Sequence, residues 1–450
     1  MERIVEELPY ASVVDRPFID AYCARCVERI SDDSESFSCD YCSEVKYCKA
    51  SCQRKDWNDV HAVECAVLRS SQSERKSLSS TTRLALRVIF QLYGPSSSKS
   101  YVAFNGSTIE KLETNYDAIR SNTEYNHFLV DIMAIIKSCC HSLSQNEDMC
   151  STKLEAVSKT QISSIVCAVL ANAFSIVDEL KGESVGLGLY HNHACASDAH
   201  VVFDGRRALL MAPVGTSYIQ QLTISYVSRM LPTFERQKNI SRVHFFVCKC
   251  QLCQDDQKEA RASACPCSDE KCDGFCPVSS VFISNQYKCV KCGALPKFHH
   301  AEVHQFMVNL LGEMERLEKL GLFSQENNSM LFSSLRELRD RYKKFLASCN
   351  IGMLLLNEQI ASSAARLPPN SITPEELVGI GLSDCDEYIE RLGIGYPETT
   401  RRLYIACVCV NRAARSSQYP EIFQKAFESS LVSHGETHPL TKEIRKLSSS

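Results

Sequence analysis

Eight metal-binding side chains fall in the order Cys23, Cys26, Cys39, Cys42, Cys48, Cys52, His61 and Cys65, a spacing of C-x2-C-x12-C-x2-C-x5-C-x3-C-x8-H-x3-C. A C-x2-C pair sits on a tight turn that aims two thiolates at one ion, and an x3 spacing on a helix stacks Cys48 over Cys52 and His61 over Cys65. Scattered core cysteines would not fall into such pairs. Eight ligands make two tetrahedral structural zinc sites, with no position left open for catalysis. The segment is rich in Ser, Asp and Lys and too short to bury an apolar core. Structural zinc, which supplies about 10–16 kcal/mol of apparent binding free energy, takes that place. Spacing alone permits either sequential or alternate pairs to share an ion.

The whole chain has 450 residues, which fits two to four domains. Its 25 cysteines follow an N-terminus, Met1-Glu-Arg-Ile-Val-Glu-Glu-Leu, with acids where a secretory signal would be basic. A reducing compartment, nucleus or cytoplasm, is therefore expected, with thiols serving metal rather than disulfides. A hydrophobic content of 44% with 23% charged residues is that of a soluble globular protein, and no apolar run reaches membrane-spanning length. A net charge of -4 supplies no basic field for direct nucleic-acid binding.

Before the cysteines, Ile4-Val5 and Ala11-Ser-Val-Val14 predict a strand or two, ending at Pro17. A Ser-rich stretch, Ser70 to Ser77, separates the metal module from an apolar helix-like run, Leu84 to Tyr93, which Gly94-Pro95 breaks. Residues 108 to 180 read as helices, with Ile165, Val169, Ala173 and Ile176 on one face. Strand signals return at Val201-Val-Phe203, Ala208 to Met211 and Leu222-Thr-Ile-Ser-Tyr226, separated by Gly205 and Gly215. After a second cysteine-dense stretch, Cys248 to Cys292, the chain reads as helical. Val303, Phe306, Met307, Leu310, Leu311, Met314 and Leu317 mark one amphipathic helix stopping at Gly321, and Phe423, Phe427 and Leu431 another before Gly435 and Pro439.

The first cluster, with Tyr47 and Gln53-Arg-Lys-Asp-Trp57 beside it, resembles the MYND zinc finger, a cross-brace protein-interaction module. That resemblance implies Cys23, Cys26, Cys48 and Cys52 for one ion and Cys39, Cys42, His61 and Cys65 for the other. Asn192-His-Ala-Cys195, the Leu222–Tyr226 segment and Phe246-Val-Cys-Lys-Cys-Gln-Leu-Cys253 together resemble a SET domain. The combination resembles the SET-and-MYND (SMYD) protein lysine methyltransferases over nearly the whole chain. Ala426-Phe427 and Ser433-His-Gly-Glu-Thr-His-Pro439 are similar to that family's tetratricopeptide-like C-terminal domain.

The resemblance implies an S-adenosylmethionine-dependent protein lysine N-methyltransferase, with histones or other proteins as substrates and peptide ligands for the finger. Such an enzyme must align a desolvated lysine amine with the methyl-sulfonium, so positioning outweighs covalent catalysis. Tyr226 would be the catalytic tyrosine. Asn172, Asn192 and His193 would contact the cofactor, and Phe246 would stack near its adenine. Cys248, Cys250 and Cys253 supply three thiolates and need a fourth ligand; by resemblance Cys195 completes the site. Six further cysteines, Cys265, Cys267, Cys272, Cys276, Cys289 and Cys292, compete for another site, of which Cys267, Cys272, Cys289 and Cys292 are the most ribbon-like set.

Some family positions differ. The Gly-x-Gly turn before the first strand is not in this sequence, which starts at the following strand. The apolar run between Gly186-Leu-Gly-Leu-Tyr190 and Asn192 is missing, Ser197 and Asp198 replace a proline and an asparagine, Ile219-Gln220-Gln221 replaces a Gly-Glu turn, and His244 stands for a second channel tyrosine. Two functions stay open on this basis: a methyltransferase with weakened activity, or an impaired relative serving as a zinc-stabilised interaction scaffold. A shortened isoform is a third account.

The expected architecture is α+β. A truncated N-terminal part of a split β-rich SET domain occupies 1–22, the inserted MYND double-zinc finger 23–65, a helical linker and SET insertion 66–180, and the SET core 181–245. A cysteine-rich post-SET region follows at 246–295, then a C-terminal α-helical domain at 296–450. A monomer is expected.

Overall fold

The fold is that of a computed structural model, which describes residues 2–31, 35–73, 78–94, 109, 112–144, 157–189, 197, 199–215, 223–279, 287–320 and 327–448. It is a mixed helix and strand structure with small antiparallel sheets in its first two thirds and helices beyond. Strands β1 (Glu2–Glu7) and β2 (Ser12–Val14) open the chain, and the short hairpin β3 (Phe37–Ser38) and β4 (Lys46–Tyr47) lies in the finger. The mid-chain strands are β5 (Ala173–Asp178), β6 (Glu183–Leu189), β7 (His200–Asp204) and β8 (Arg207–Ala212). One sheet has the order β1-β8-β7 and a second β2-β6-β5, so each takes one strand from the N-terminus and two from mid-chain. The finger is thus inserted between strands of a split β core.

Local chemistry explains the junctions. Asp178 Oδ1 accepts the N–H groups of Leu180 and Lys181, turning the chain from β5 into β6. In the Gly186-Leu-Gly-Leu run, a Cβ at Gly186 would lie 2.3 Å from the Val13 carbonyl oxygen, so only glycine lets β6 approach β2 that closely. The Ser80–Tyr93 helix starts at Ser79, whose hydroxyl accepts the Thr82 N–H, and every residue from Thr82 to Phe90 is buried. With the Lys159–Asn172 helix, capped reciprocally by Ser158 and Gln161, it forms the core beneath β2 and β6.

Three expectations differ from the structure. The helical run over 108–180 ends at Asn172, and Ala173 and Ile176 lie in β5; the Ala-Phe-Ser-Ile-Val-Asp sequence satisfies its backbone by pairing with β6. Ser70 to Ser73, read as a break, continue the Ala62–Ser73 helix. Of the segment read as a strand at Leu222–Tyr226, residue 222 lies outside the described residues and only Ile224 bridges, so Tyr226 sits on a bend.

Short strands β9 (Cys265–Pro266) and β10 (Phe275–Cys276) pair in the second cysteine-rich stretch. Beyond them lie the helices His300–Lys319, Asn328–Tyr342, Ile351–Ala364, Pro374–Leu382, Cys385–Leu392, Pro397–Arg412, Pro420–Ser433 and Pro439–Ser448. Four begin with proline, which has no N–H to leave unsatisfied in a first turn. Their apolar faces share one core, in which Leu310, Leu335, Leu354, Leu403, Ala406, Ala426 and Ile444 are fully buried. Arg402 is buried among them and donates to the carbonyls of Ile380, Gly381 and Ser383, satisfying the end of the Pro374–Leu382 helix. Among the described residues no helix is long and apolar enough to cross a membrane.

Candidate functional site

The metal-binding side chains are gathered by a repeated backbone device. After Cys23 and Cys26 the chain closes on itself, with the Val27 N–H donating to the Cys23 carbonyl at 2.9 Å and Val27 at φ 57°. Cys39 and Cys42 repeat it through Ser43, φ 54°, and Cys289 and Cys292 through Gly293, φ 74°. A β-branched valine in the left-handed region costs roughly 1–2 kcal/mol, which a metal bond offsets. The second half of the first finger site comes from the end of β4 and the helix Ala50–Asp56, where Cys48 and Cys52 approach to 3.7 Å between sulfurs, and that of the second from His61 and Cys65 on the helical turns that follow.

The ligand atoms of Cys23, Cys26, Cys48 and Cys52 lie within 4.8 Å of one another, as do those of Cys39, Cys42, His61 and Cys65. The pairs therefore alternate. Between the groups' members, Cys26 and Cys48 sulfurs are 3.6 Å apart, Cys39 and Cys65 3.7 Å, and Cys42 Sγ and His61 Nε2 3.6 Å. Tetrahedral zinc with Zn–S bonds of about 2.3 Å sets ligand separations of about 3.8 Å, whereas a disulfide needs about 2.05 Å. The arrangement fits zinc.

His61 faces the metal position with Nε2, and its Nδ1 donates to Glu64 Oε2 at 2.9 Å, which fixes the tautomer. Glu64 is almost wholly buried and is held by Arg83 and Arg87, while Arg87 also binds Asp56, whose other donor is the Tyr47 hydroxyl. Burial alone would raise the Glu64 carboxyl, but Arg87 and Arg83 overcome it and hold the group well below the usual carboxylate range. None of these four charged residues stands out in the finger's spacing. Arg83 and Arg87 flank apolar residues four apart on one helix face, and that interruption of an apolar run is the only sequence signal they leave.

In the second cysteine-rich stretch, Cys267, Cys272, Cys289 and Cys292 converge, with sulfurs of Cys267 and Cys292 3.4 Å apart and those of Cys272 and Cys289 3.7 Å apart. The Asp269 and Gly274 N–H groups donate to Cys267 and Cys272 sulfur, each at 3.4 Å, which favours thiolate. A Cβ on Gly274 would meet Cys289 Sγ at 2.6 Å, so glycine is required beside the ion. Cys265 and Cys276 face each other across β9 and β10, outside this group of four. Cys248, Cys250 and Cys253 form a group of three, with Arg236 Nη2 3.8 Å from Cys253 Sγ. Cys195, Asn192 and His193 lie outside the described residues.

Tyr226 packs in an aromatic pocket. Its ring centroid is 4.5 Å from Phe174, edge on, and 4.4 Å from His244. Burial pushes the Tyr226 hydroxyl above its ordinary pKa, so it stays protonated at neutral pH. Burial also lowers the His244 pKa, against the bond from its Nδ1 to the Ala171 carbonyl at 2.9 Å. Asn172, at the end of the same helix, uses its amide N–H groups on the carbonyls of Glu113 and Ala168, both at 2.8 Å. The tyrosine segment is anchored from the other side, where Glu398 accepts the Ser228 hydroxyl at 3.0 Å and the Arg229 N–H at 3.1 Å. Phe246 is 40% exposed and follows Phe245, which turns the chain at φ 62° and packs its ring edge on Tyr125.

Comparison with known proteins agrees with this arrangement. Residues 23–65 match the MYND finger. The chain is 27% identical over 289 residues to the histone-lysine N-methyltransferase ASHR1 of Arabidopsis thaliana, covering 61% of this chain and 56% of the relative. It is 29% identical over 263 residues to the histone-lysine N-methyltransferase SMYD3 of Homo sapiens, with 56% of each covered. In these two the match spans a little over half of the relative's length. A longer, more distant match, 21% identical, reaches 99% of this chain and 83% of the histone-lysine N-methyltransferase Smyd1 of Mus musculus. With a finger inserted between the strands of a split sheet, cysteine clusters after it and a helical C-terminal region, the chain carries a MYND finger and is similar over much of its length to SET-and-MYND-domain proteins.

Proposed function

We propose that the protein is an S-adenosylmethionine-dependent protein lysine N-methyltransferase whose substrates include histone lysines. The observation that carries this reading is the aromatic cluster of half-buried Tyr226 and Phe174 with buried His244, set against the end of the Lys159–Asn172 helix. Its support from relatives lies in the histone-lysine N-methyltransferase names that ASHR1 and SMYD3 bear. When bound, S-adenosylmethionine supplies an electrophilic methyl group. The protein's part is to strip water from the lysine amine and hold it in line, which an apolar, aromatic channel favours.

Tyr226 keeps a protonated hydroxyl at the channel, able to donate without carrying charge. His244, kept toward its neutral form by burial, presents an uncharged ring where a cation would repel the incoming ammonium before deprotonation. Asn172, Asn192, His193 and Phe246 would contact the cofactor. The Cys248, Cys250 and Cys253 group, completed by Cys195, would tie that cofactor segment to the chain after His244. The finger, with Tyr41 exposed and stacked on Trp57 at 5.4 Å, would take peptide partners alongside the reaction.

Calorimetry with S-adenosylmethionine on zinc-loaded protein, paired with mass spectrometry of histones after incubation, tests the reading. Saturable cofactor binding and a mass gain of one or more methyl groups are expected. Absence of binding at millimolar cofactor would leave the chain an interaction scaffold.

A further inference from the structure

One buried polar cluster serves neither the fold of the finger alone nor the pocket of Tyr226. Glu64 has two oxygens and spends both. Oε2 accepts His61 Nδ1 at 2.9 Å and Arg87 at 2.6 and 3.0 Å, while Oε1 accepts Arg83 at 3.0 and 3.1 Å. The two arginines do not stop there. Arg87 Nη1 donates to the Ser12 carbonyl at 3.2 Å and Arg83 Nη1 to the Val14 carbonyl at 3.4 Å. Ser12 and Val14 are the ends of β2, which pairs with β6 through Ser12 with Gly188 and Val14 with Gly186.

We infer that Glu64 is a positioning residue shared by the His61 metal site and the SET-type sheet, so that metal bound at His61 holds β2 against β6. The physical reason is charge in a place without water. Glu64, Asp56 and His61 are each 1% exposed, Arg87 3% and Arg83 7%. The two arginines balance the two carboxylates, and each guanidinium needs its carboxylate held still to keep its remaining N–H group on a β2 carbonyl. A metal-bound imidazole is fixed in position and tautomer, and so fixes Glu64. An unligated imidazole is no longer fixed by a metal bond, Glu64 loses the firmest of its anchors, and the guanidinium groups shift with it away from β2. β6 runs to Leu189, immediately before the segment that carries Asn192 and His193, so the strand loosened is the one that leads there.

The test does not depend on methyl transfer. Full-length, metal-loaded protein is compared with Glu64→Gln and His61→Cys by hydrogen exchange of peptides spanning 10–15 and 183–189, with 200–212 as an internal control. Cobalt substitution reports the site, because three sulfurs with one nitrogen and four sulfurs absorb differently. Glu64→Gln should weaken zinc at this site by about 10–100-fold, the usual effect of removing a partner of a ligand. It should also speed exchange in β2 and β6 while leaving β7 and β8 unchanged. His61→Cys separates the two effects, since it rebuilds a four-thiolate site yet severs the bond to Glu64. Zinc should stay bound, and exchange in β2 and β6 should still rise. Unchanged β2 and β6 exchange in His61→Cys with zinc retained would overturn the inference, as would zinc affinity within twofold of the parent in Glu64→Gln. Should Glu64→Gln not fold, His61→Cys decides alone.

Discussion

From Cys23 to Cys65 six of the fifteen buried residues are metal ligands, whereas from Val303 to Ile444 the buried residues are mostly apolar side chains of packed helices. In the finger's core five of ten fully packed residues are cysteines, so its stability is the free energy of metal binding. The helical region buries apolar surface worth about 25 cal/mol per Å² and contains no ligand cluster among its described residues. One half of the molecule can therefore be unmade by a chelator and the other by a cavity. The two should respond independently, except where Glu64 and its arginines carry the finger into the sheet.

The largest effect expected from that contrast is metal removal. A strong chelator, or Cys42→Ala, should abolish ordered structure over the finger, consistent with the loss of about 10–16 kcal/mol of binding free energy. The helices from His300 to Ser448 should keep their circular dichroism and most of their hydrogen-exchange protection. Loss of both together would show that the helical core depends on the metal.

Acid should act next most strongly, at the contact between the β7 strand and the last helices. Burial pushes His200 and His438 down to about 4 from an ordinary 6.5, and they donate to the Ser433 and Phe203 carbonyls, at 2.9 and 3.0 Å. The unfolded chain takes protons below about 6.5 while the folded protein resists until about 4, so their contribution is complete above pH 6.5 and is lost as pH falls toward 4. The full loss is on the order of 3 kcal/mol per histidine. Urea midpoints measured between pH 7 and 4.5 should fall, with a shallower slope in His200→Asn and His438→Asn. An equal slope in the variants would remove this contact as the cause.

Cavity mutation tests the apolar half directly. Leu354 is fully buried, and Leu354→Ala should cost about 2–5 kcal/mol with zinc content unchanged. Zinc lost with it would break the separation of the two regions. The smallest change expected is Ser228→Ala. It removes one hydrogen bond to Glu398 and the one Ser228 Oγ accepts from the Met230 N–H, and should cost about 1 kcal/mol in denaturant midpoint, with β1 and β8 exchange unchanged.

Legibility in the sequence follows the same division. The finger is legible because ligand spacing leaves few geometries, while the alternate grouping of Cys23, Cys26, Cys48 and Cys52 is a property of the folded chain that spacing does not decide. The C-terminal helices were readable because Val303, Phe306, Met307 and Leu310 repeat on one face over several turns. Ala173 and Ile176 misled because a three-residue spacing continues the preceding helix's pattern, and only pairing with β6 decides against it. Arg83 and Arg87 were hidden by their own neighbours: an apolar run from Leu84 to Tyr93 reads as core, and nothing local says that one guanidinium beside it and one within it answer a glutamate nineteen and twenty-three residues away. Tyr226 was placed by resemblance rather than pattern, and its bend, rather than a strand, is set by the Ser228 and Glu398 contact from the far end of the chain.

Whether Tyr226 stands at a methyl-transfer site can be measured directly. Zinc-loaded protein and its Tyr226→Phe variant, matched for fold by circular dichroism and for cofactor binding by calorimetry, should be incubated with methyl-labelled S-adenosylmethionine and histones, and the labelled lysines identified by mass spectrometry. Labelled lysine is expected with the parent, and a loss of about 10-fold or more, or an altered number of methyl groups, with the variant, in the range of removing one positioned hydroxyl. Equal labelling by both proteins, with the same product, would contradict that placement of Tyr226.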